Sequence, residues 1–365
     1  MHASDALTEA DRLMTVCNSC RYCEGLCAVF PAMEMRRSFG DGDLNYLANL
    51  CHACGACYVD CQFSPPHEFN VNVPKTLAIV RAESWELYAW PGFLAGLFRR
   101  NGVAIALITA ISVAAFLFLF MRAGDVAMVI PADAPASFYR IMPHNVMAGL
   151  FGGAFAFALL ALVMSLRNFW LDIGEPVTTL AAPKPLWQAI RDASTLRYLD
   201  GGGVGCFNAD ERPDDRRRFY HHLTFYGFLL CFAATSVGTL YHYLLGREAP
   251  YPLWDLPVVL GTLGGVGLIV GPIGLARAKR QRLPDMVDKS RSGMDVAFIL
   301  MLVLTSVSGL ALLALRSTPA MSGLLALHLG IVFALFVTLP YSRFVHGLYR
   351  FAALVRYARE REVHR

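Results

Sequence analysis

The chain has 365 residues, 56% of them hydrophobic and only 16% charged, with a formal net charge of +4 at pH 7 and a mean hydropathy of +0.45. That composition excludes an ordinary soluble protein, a disordered chain and a collagen-like repeat, and it points to a membrane protein. Lys and Arg gather in particular loops, so no nucleic-acid partner is expected.

The chain opens with mixed polar residues from Met1 to Ala10, which do not read as a secretory signal, so the segment that follows is expected to stay in the cytosol. Ten cysteines are present, and eight of them lie between Cys17 and Cys61. Cys17, Cys20, Cys23 and Cys27 form a C-x2-C-x2-C-x3-C run, which Cys51, Cys54, Cys57 and Cys61 repeat with identical spacing. This is the bacterial ferredoxin pattern for two [4Fe–4S] clusters, in which the fourth thiolate of each run reaches the other cluster. Cys17, Cys20, Cys23 and Cys61 are therefore expected to hold one cluster, and Cys51, Cys54, Cys57 and Cys27 the other. Zinc sites more often pair two separated C-x2-C units, and disulfides are disfavoured in the cytosol. The proline usual after the fourth cysteine is replaced by Ala28 and Gln62. Gly55 and Ala56 let the backbone bend around metal, while His52 and His67 read as supporting or surface groups. Val73 to Trp90 reads as an amphipathic helix packing this domain onto the membrane part. Residues 1–95 thus form a ferredoxin-like domain, α+β or mainly α. Trp85, Tyr88 and Trp90, followed by Arg99 and Arg100, fit an interfacial belt.

Six stretches are long and apolar enough to cross the roughly 30 Å hydrocarbon core: Gly102 to Met121, Val146 to Leu166, Leu223 to Gly246, Leu256 to Ala276, Val296 to Leu315 and Ala320 to Ser342. A large soluble helical core would need six helices without a polar stripe. The connections after the second and fourth spans, with the tail after the sixth, carry 20 Lys and Arg, against four (Arg122, Arg140, Arg247 and Arg316) in the other three connections. The positive-inside rule then places both termini in the cytoplasm; the expected location is a bacterial inner membrane. Residues 96–350 form a six-helix membrane domain in an all-α fold, and 351–365 a cytoplasmic tail.

The loop from Arg167 to His221 contains the run Gly201 to Gly205, then Cys206, and an acidic cluster before Arg216, Arg217 and Arg218. The glycines lack the lysine and the strand-turn-helix setting of a phosphate-binding loop and read as a flexible turn. The charge clusters read as a solvated loop, with a docking surface as the alternative. Cys206 and Cys231 have no spacing partners.

Ionisable residues within membrane helices mark function. His221 and His222 begin the third span and His242 lies near its far end, while His328 and His346 flank the sixth. Antiparallel helices would pair His221 or His222 with His346, and His242 with His328, as in two bis-histidine b-type haems. On one continuous helix at roughly 100° per residue, His328 and His346 are about five turns apart and share a face. The step to His242 is roughly 60° off a common face from His221 and roughly 160° off from His222, which favours His221. His144 competes for the outer haem.

With these cysteine runs, six spans and the segments Arg216 to Phe228 and Leu339 to His346, the chain resembles the tricarballylate-utilisation protein B (CitB-like) family over nearly its whole length. Its membrane half is similar to the cytochrome b subunits of nitrate reductase and heterodisulfide reductase. The resemblance implies a six-helix cytochrome b bundle carrying electrons from a separate FAD-dependent dehydrogenase that oxidises tricarballylate, through iron–sulfur clusters and haem b, to membrane quinone. The chain carries no flavin or hydride-transfer fingerprint, so substrate oxidation is expected on the partner. A membrane redox sensor or an assembly protein is the alternative reading.

Overall fold

A computed structural model describes residues 2–99, 101–122, 142–290 and 292–364; Arg100 and Arg140 lie outside the described residues. The N-terminal head is built from α1 (Asp5–Cys20), α2 (Val29–Glu34), α3 (Asp41–Leu50), α4 (Ala56–Val59) and α5 (Val73–Tyr88). It takes the mainly α form. Ser4 caps α1 by accepting from the Leu7 amide, and Asn72 caps α5 by accepting from that of Lys75. Both satisfy amide donors that a helix start leaves unpaired.

The head's core gathers Leu13, Met14, Leu44, Tyr46, Leu47 and Trp85, each essentially buried. Each such side chain contributes about 1.5–3 kcal/mol. Here the expected interfacial belt is corrected. Trp85 is 0% exposed and donates its indole N–H to Asn49 Oδ1 at 3.0 Å, and Tyr88 is 3% exposed. The apolar face of α5 covers the head's own core, so these rings face protein rather than lipid.

The helices long and apolar enough to cross a membrane are α6 (Asn101–Arg122), α7 (His144–Asp172), α9 (Arg216–Leu245), α10 (Leu256–Arg280), α11 (Ser292–Ala314) and α12 (Met321–Thr338), with α8 (Pro183–Ser194) between α7 and α9. The short antiparallel strands β1 (Cys206–Phe207) and β2 (Pro213–Asp214) precede α9.

The α9–α10 pair is packed backbone to backbone. A Cβ on Gly264 would meet the Cys231 amide nitrogen at 2.8 Å, and one on Gly271 would meet the Thr224 nitrogen at 2.7 Å. Small residues permit this approach in a membrane. Gly264→Val is expected to cost roughly 1–3 kcal/mol or more by overpacking, seen as a lower Tm in detergent; an unchanged Tm would contradict the packing.

The sixth span breaks before His346. A 3-10 turn at Leu339–Tyr341 follows α12, Ser342 is extended (φ −113°, ψ −179°), and a separate helix, α13 (Val345–Val363), then begins. Pro340 lacks the N–H that a continuing helix would need. The expectation of one helix carrying His328 and His346 five turns apart therefore fails.

The segment from residue 351, read as a cytoplasmic tail, packs against the head. Leu354, Val355 and Tyr357 are buried in the same cluster as the head residues Tyr46 and Leu47. Glu360 accepts from Tyr46 Oη at 3.0 Å and from Arg356 Nε at 2.9 Å, and it pairs with Arg36. Arg356 also reaches Asp43 at 3.1 Å. Burial alone would raise the Asp43 carboxyl, but Arg36 and Arg356 outweigh it and hold that carboxyl below its usual range.

Candidate functional site

The eight clustered cysteines form no disulfide and line two cavities. Cys17, Cys20, Cys23 and Cys61 line one of about 220 Å³, which Cys57 also lines. Cys27, Cys51, Cys54 and Cys57 line a tighter one of about 20 Å³. The fourth cysteine of each run has thus crossed to the other group.

The electrostatics divide the sulfurs in the same way. Burial, then Cys23, Cys61 and Cys20, pushes the Cys17 thiol up to about 12. Burial, then Cys61 and Cys20, does the same to Cys23. Cys27 is raised by burial, then by Cys54 and Cys51. Four thiolates facing one space repel one another, and iron charge is what would make them tolerable together. Among the described residues, no group of three or more His, Cys, Asp or Glu closes on a single metal-ion position. A lone zinc needs its sulfurs about 2.3 Å from one point, whereas four thiols spaced around a cavity suit the larger [4Fe–4S] unit. The donor set fits that group at both sites.

The two sites differ in setting. The first is near the surface, with Cys20 exposed and Tyr22 72% exposed. The second is interior, since Cys51 and Cys54 are 7% and 8% exposed. Its loop depends on Gly55, where φ is +95° and a Cβ would meet Met286 at 2.8 Å. The Ala53 amide donates to Cys51 Sγ at 3.3 Å.

The glycine loop expected to be a flexible turn packs onto this second site. Phe207 donates its amide to Cys54 O at 2.9 Å, and Cys206 is buried with Cys54 and Ala56. His52 is buried, with Nδ1 3.1 Å from Leu50 O, whereas His67 stands among Phe63 and Phe69 beside the first site.

Four arginines converge on three successive carbonyls of the second loop. Arg350 and Arg81 each donate to Cys51 O at 2.7 Å. Arg217 donates to His52 O at 2.9 Å and to Ala53 O at 2.7 Å, and Arg282 donates to Ala53 O at 2.9 Å. Arg81 comes from the head, while Arg217 stands in the first turn of α9, Arg282 just after α10 and Arg350 in α13. Burial, then the like charge of Arg343, pulls Arg81 down to about 10. Burial, then Arg217, pulls Arg282 down to about 9. A guanidinium nonetheless keeps its proton, so these shifts register the cost of gathering cations there. The sequence reading missed this group. Its signal was a basic residue at the same end of three spans, absorbed there into the topology.

The histidines form the expected pair of His221 with His346, and at the other end His242 meets His144, the competitor for the outer site, rather than His328. His221 and His346 have ring centroids 5.9 Å apart and planes at 77°. Two imidazoles on one metal, at roughly 2 Å per nitrogen, have centroids roughly 6 Å apart, so this spacing fits a shared iron. The Nδ1–H of His346 donates to Arg343 O, leaving Nε2 for metal, and His221 Nδ1 is buried without a hydrogen-bond partner. His222 instead has its ring tilted against Tyr226.

At the other end His242 stacks on His144, centroids 3.5 Å apart and planes at 18°. That spacing does not admit an iron between the rings. His328 lies with Ser308, its Nδ1 2.9 Å from Ser308 Oγ, rather than completing the expected pair with His242. Gly309 makes room for it, since a Cβ there would meet the His328 ring at 3.0 Å. The outer haem expected from His242 and His328 does not fit this arrangement.

Two family models match the chain, one described as Citrate utilization protein B over residues 96–365 and one as Citrate utilization protein B Fer4-like domain over residues 10–86. A curated relative, Citrate utilization protein B of Escherichia coli, is 50% identical over 356 residues, covering 97% of this chain and 92% of the relative. No solved structure matches.

Proposed function

This chain belongs to the citrate utilization protein B family, and from that premise we propose that it is a membrane-bound electron carrier. It takes electrons from a soluble FAD-dependent, tricarballylate dehydrogenase-like partner and passes them to quinone. The observation that carries this reading is the pair of four-cysteine sites, the inner one tied by Arg217 and Arg350 to the end of the bundle where His221 meets His346.

Cys17, Cys20, Cys23 and Cys61 would hold one [4Fe–4S] cluster and Cys27, Cys51, Cys54 and Cys57 the second, with His221 and His346 holding a b-type haem. When bound, these groups supply one-electron transfer. The residues order the route. Exposed Cys20 and Tyr22 offer the partner a close approach, buried Cys51 and Cys54 exclude water, and the loop from Cys51 to Ala53 abuts the helices bearing the histidines. The excess of basic residues in the connections at the head's end of the bundle supports a cytoplasmic position for the head and both termini.

The test uses the purified full chain and membranes containing it with the dehydrogenase. Iron and acid-labile sulfide, b-type absorbance bands after dithionite, and tricarballylate-driven reduction of quinone are expected. Stoichiometric zinc in place of iron and sulfide would overturn the cluster assignment. Clusters that reduce without any quinone turnover would favour a redox sensor.

A further inference from the structure

The four arginines around Cys51 to Ala53 have a property that clamping a loop does not require. Among the described residues, none of Arg81, Arg217, Arg282 and Arg350 forms an ion pair with a carboxylate, although the structure pairs Arg343 and Lys279 with Asp295 close by. Arg81 is 5% exposed. Four cations held together without a salt-bridge partner are costly; besides the longer-range pull of Asp295 on Arg81, the negative charge available to them is that of the thiols, Cys51 acting on Arg81, Arg282 and Arg350 and Arg217 acting on Cys54. The first cysteine site has no such collar: Arg21, beside it in sequence, is exposed and donates to Asn18 O.

We propose that Arg81, Arg217, Arg282 and Arg350 are positioning residues that set the reduction potential of the inner site, holding it above that of the outer one. This rests on the reading of both cysteine groups as [4Fe–4S] sites. Each reduction delivers one electron from the partner's flavin, breaks no bond, and adds one negative charge to the cluster and its thiolates. Fixed positive charge in a low-dielectric setting favours the more negative, reduced state. The collar therefore makes transfer from outer to inner site downhill. Arg217 stands in the first turn of α9, Arg282 just after α10 and Arg350 in α13, so the full collar exists only while the head is docked on the bundle.

The test is a redox titration of the purified full chain, followed by electron paramagnetic resonance, on Arg282→Gln and Arg350→Gln, their lysine counterparts, and Arg216→Gln as an exposed control. The expected result is that each glutamine variant moves one of the two midpoint potentials to a more negative value and leaves the other in place. The lysine variants and the control should keep both. Iron content reads folding separately, and the lysine variants, which keep the charge but lose the planar fork, separate an electrostatic role from loop clamping. Unchanged potentials in iron-replete glutamine variants, or equal shifts of both, would overturn the proposal. A parent protein with no [4Fe–4S] signal would remove the cluster reading, and this proposal with it.

Discussion

Cys61→Ser is expected to remove the same cluster as Cys17→Ser, although Cys61 belongs to the second cysteine run. Cys61 lines the cavity of Cys17, Cys20 and Cys23, and it is among the sulfurs that raise the thiols of Cys17 and Cys23. Each single variant should lose about half of the non-haem iron and sulfide, since a [4Fe–4S] unit is held by four thiolates. Combining the two should lose no more than either alone, because both act on one site. Combining Cys61→Ser with Cys51→Ser should remove nearly all of the iron. If each run instead folded around its own metal, the outcomes would be exchanged: Cys51 with Cys61 would behave as one unit, and Cys17 with Cys61 would empty both sites. Iron analysis and the spectra of the reduced proteins separate these outcomes.

The crossed arrangement was legible in the sequence because ligand spacing is local: four thiolates within eleven residues constrain the backbone whatever lies around them. The six membrane helices were legible for the same reason, since length and hydropathy are properties of a segment by itself. What the sequence concealed depends on which surfaces meet. Trp85 and Tyr88 lie on an apolar helix face, and such a face is alike whether it covers a protein core or a lipid interface; its partners Asn49 and Phe169 lie far away in the chain. The arginine collar was hidden because Arg81, Arg217, Arg282 and Arg350 come from four separate segments, and the one signal, a basic residue at the same end of three spans, served equally well as a mark of topology. The shared face of His328 and His346 assumed one continuous helix, and the break at Leu339–Tyr341 uncouples them; His242, for its part, lies on His144 rather than against His328. His328 is then free to pack over Gly309 and meet Ser308.

His221→Ala and His346→Ala should each abolish the b-type absorbance bands, while His222→Ala should retain them. His221 and His222 are adjacent on α9, but roughly 100° of helix rotation separates their side chains. The first faces His346 with centroids 5.9 Å apart, and the second lies against Tyr226. A haem iron held by two histidines loses its low-spin character when either is removed, so the effect of each alanine on the bands should be near complete. His328→Ala should leave the bands intact, because that ring is committed to Ser308 at 2.9 Å. Loss of the bands in His328→Ala with retention in His221→Ala would reverse the assignment and restore the outer pairing expected from sequence. Non-haem iron and acid-labile sulfide should stay at the parent level in all four variants, since none of these histidines lines either cysteine cavity. A variant that loses its haem bands while keeping its non-haem iron and sulfide therefore reports on the ligand itself rather than on misfolding of the head.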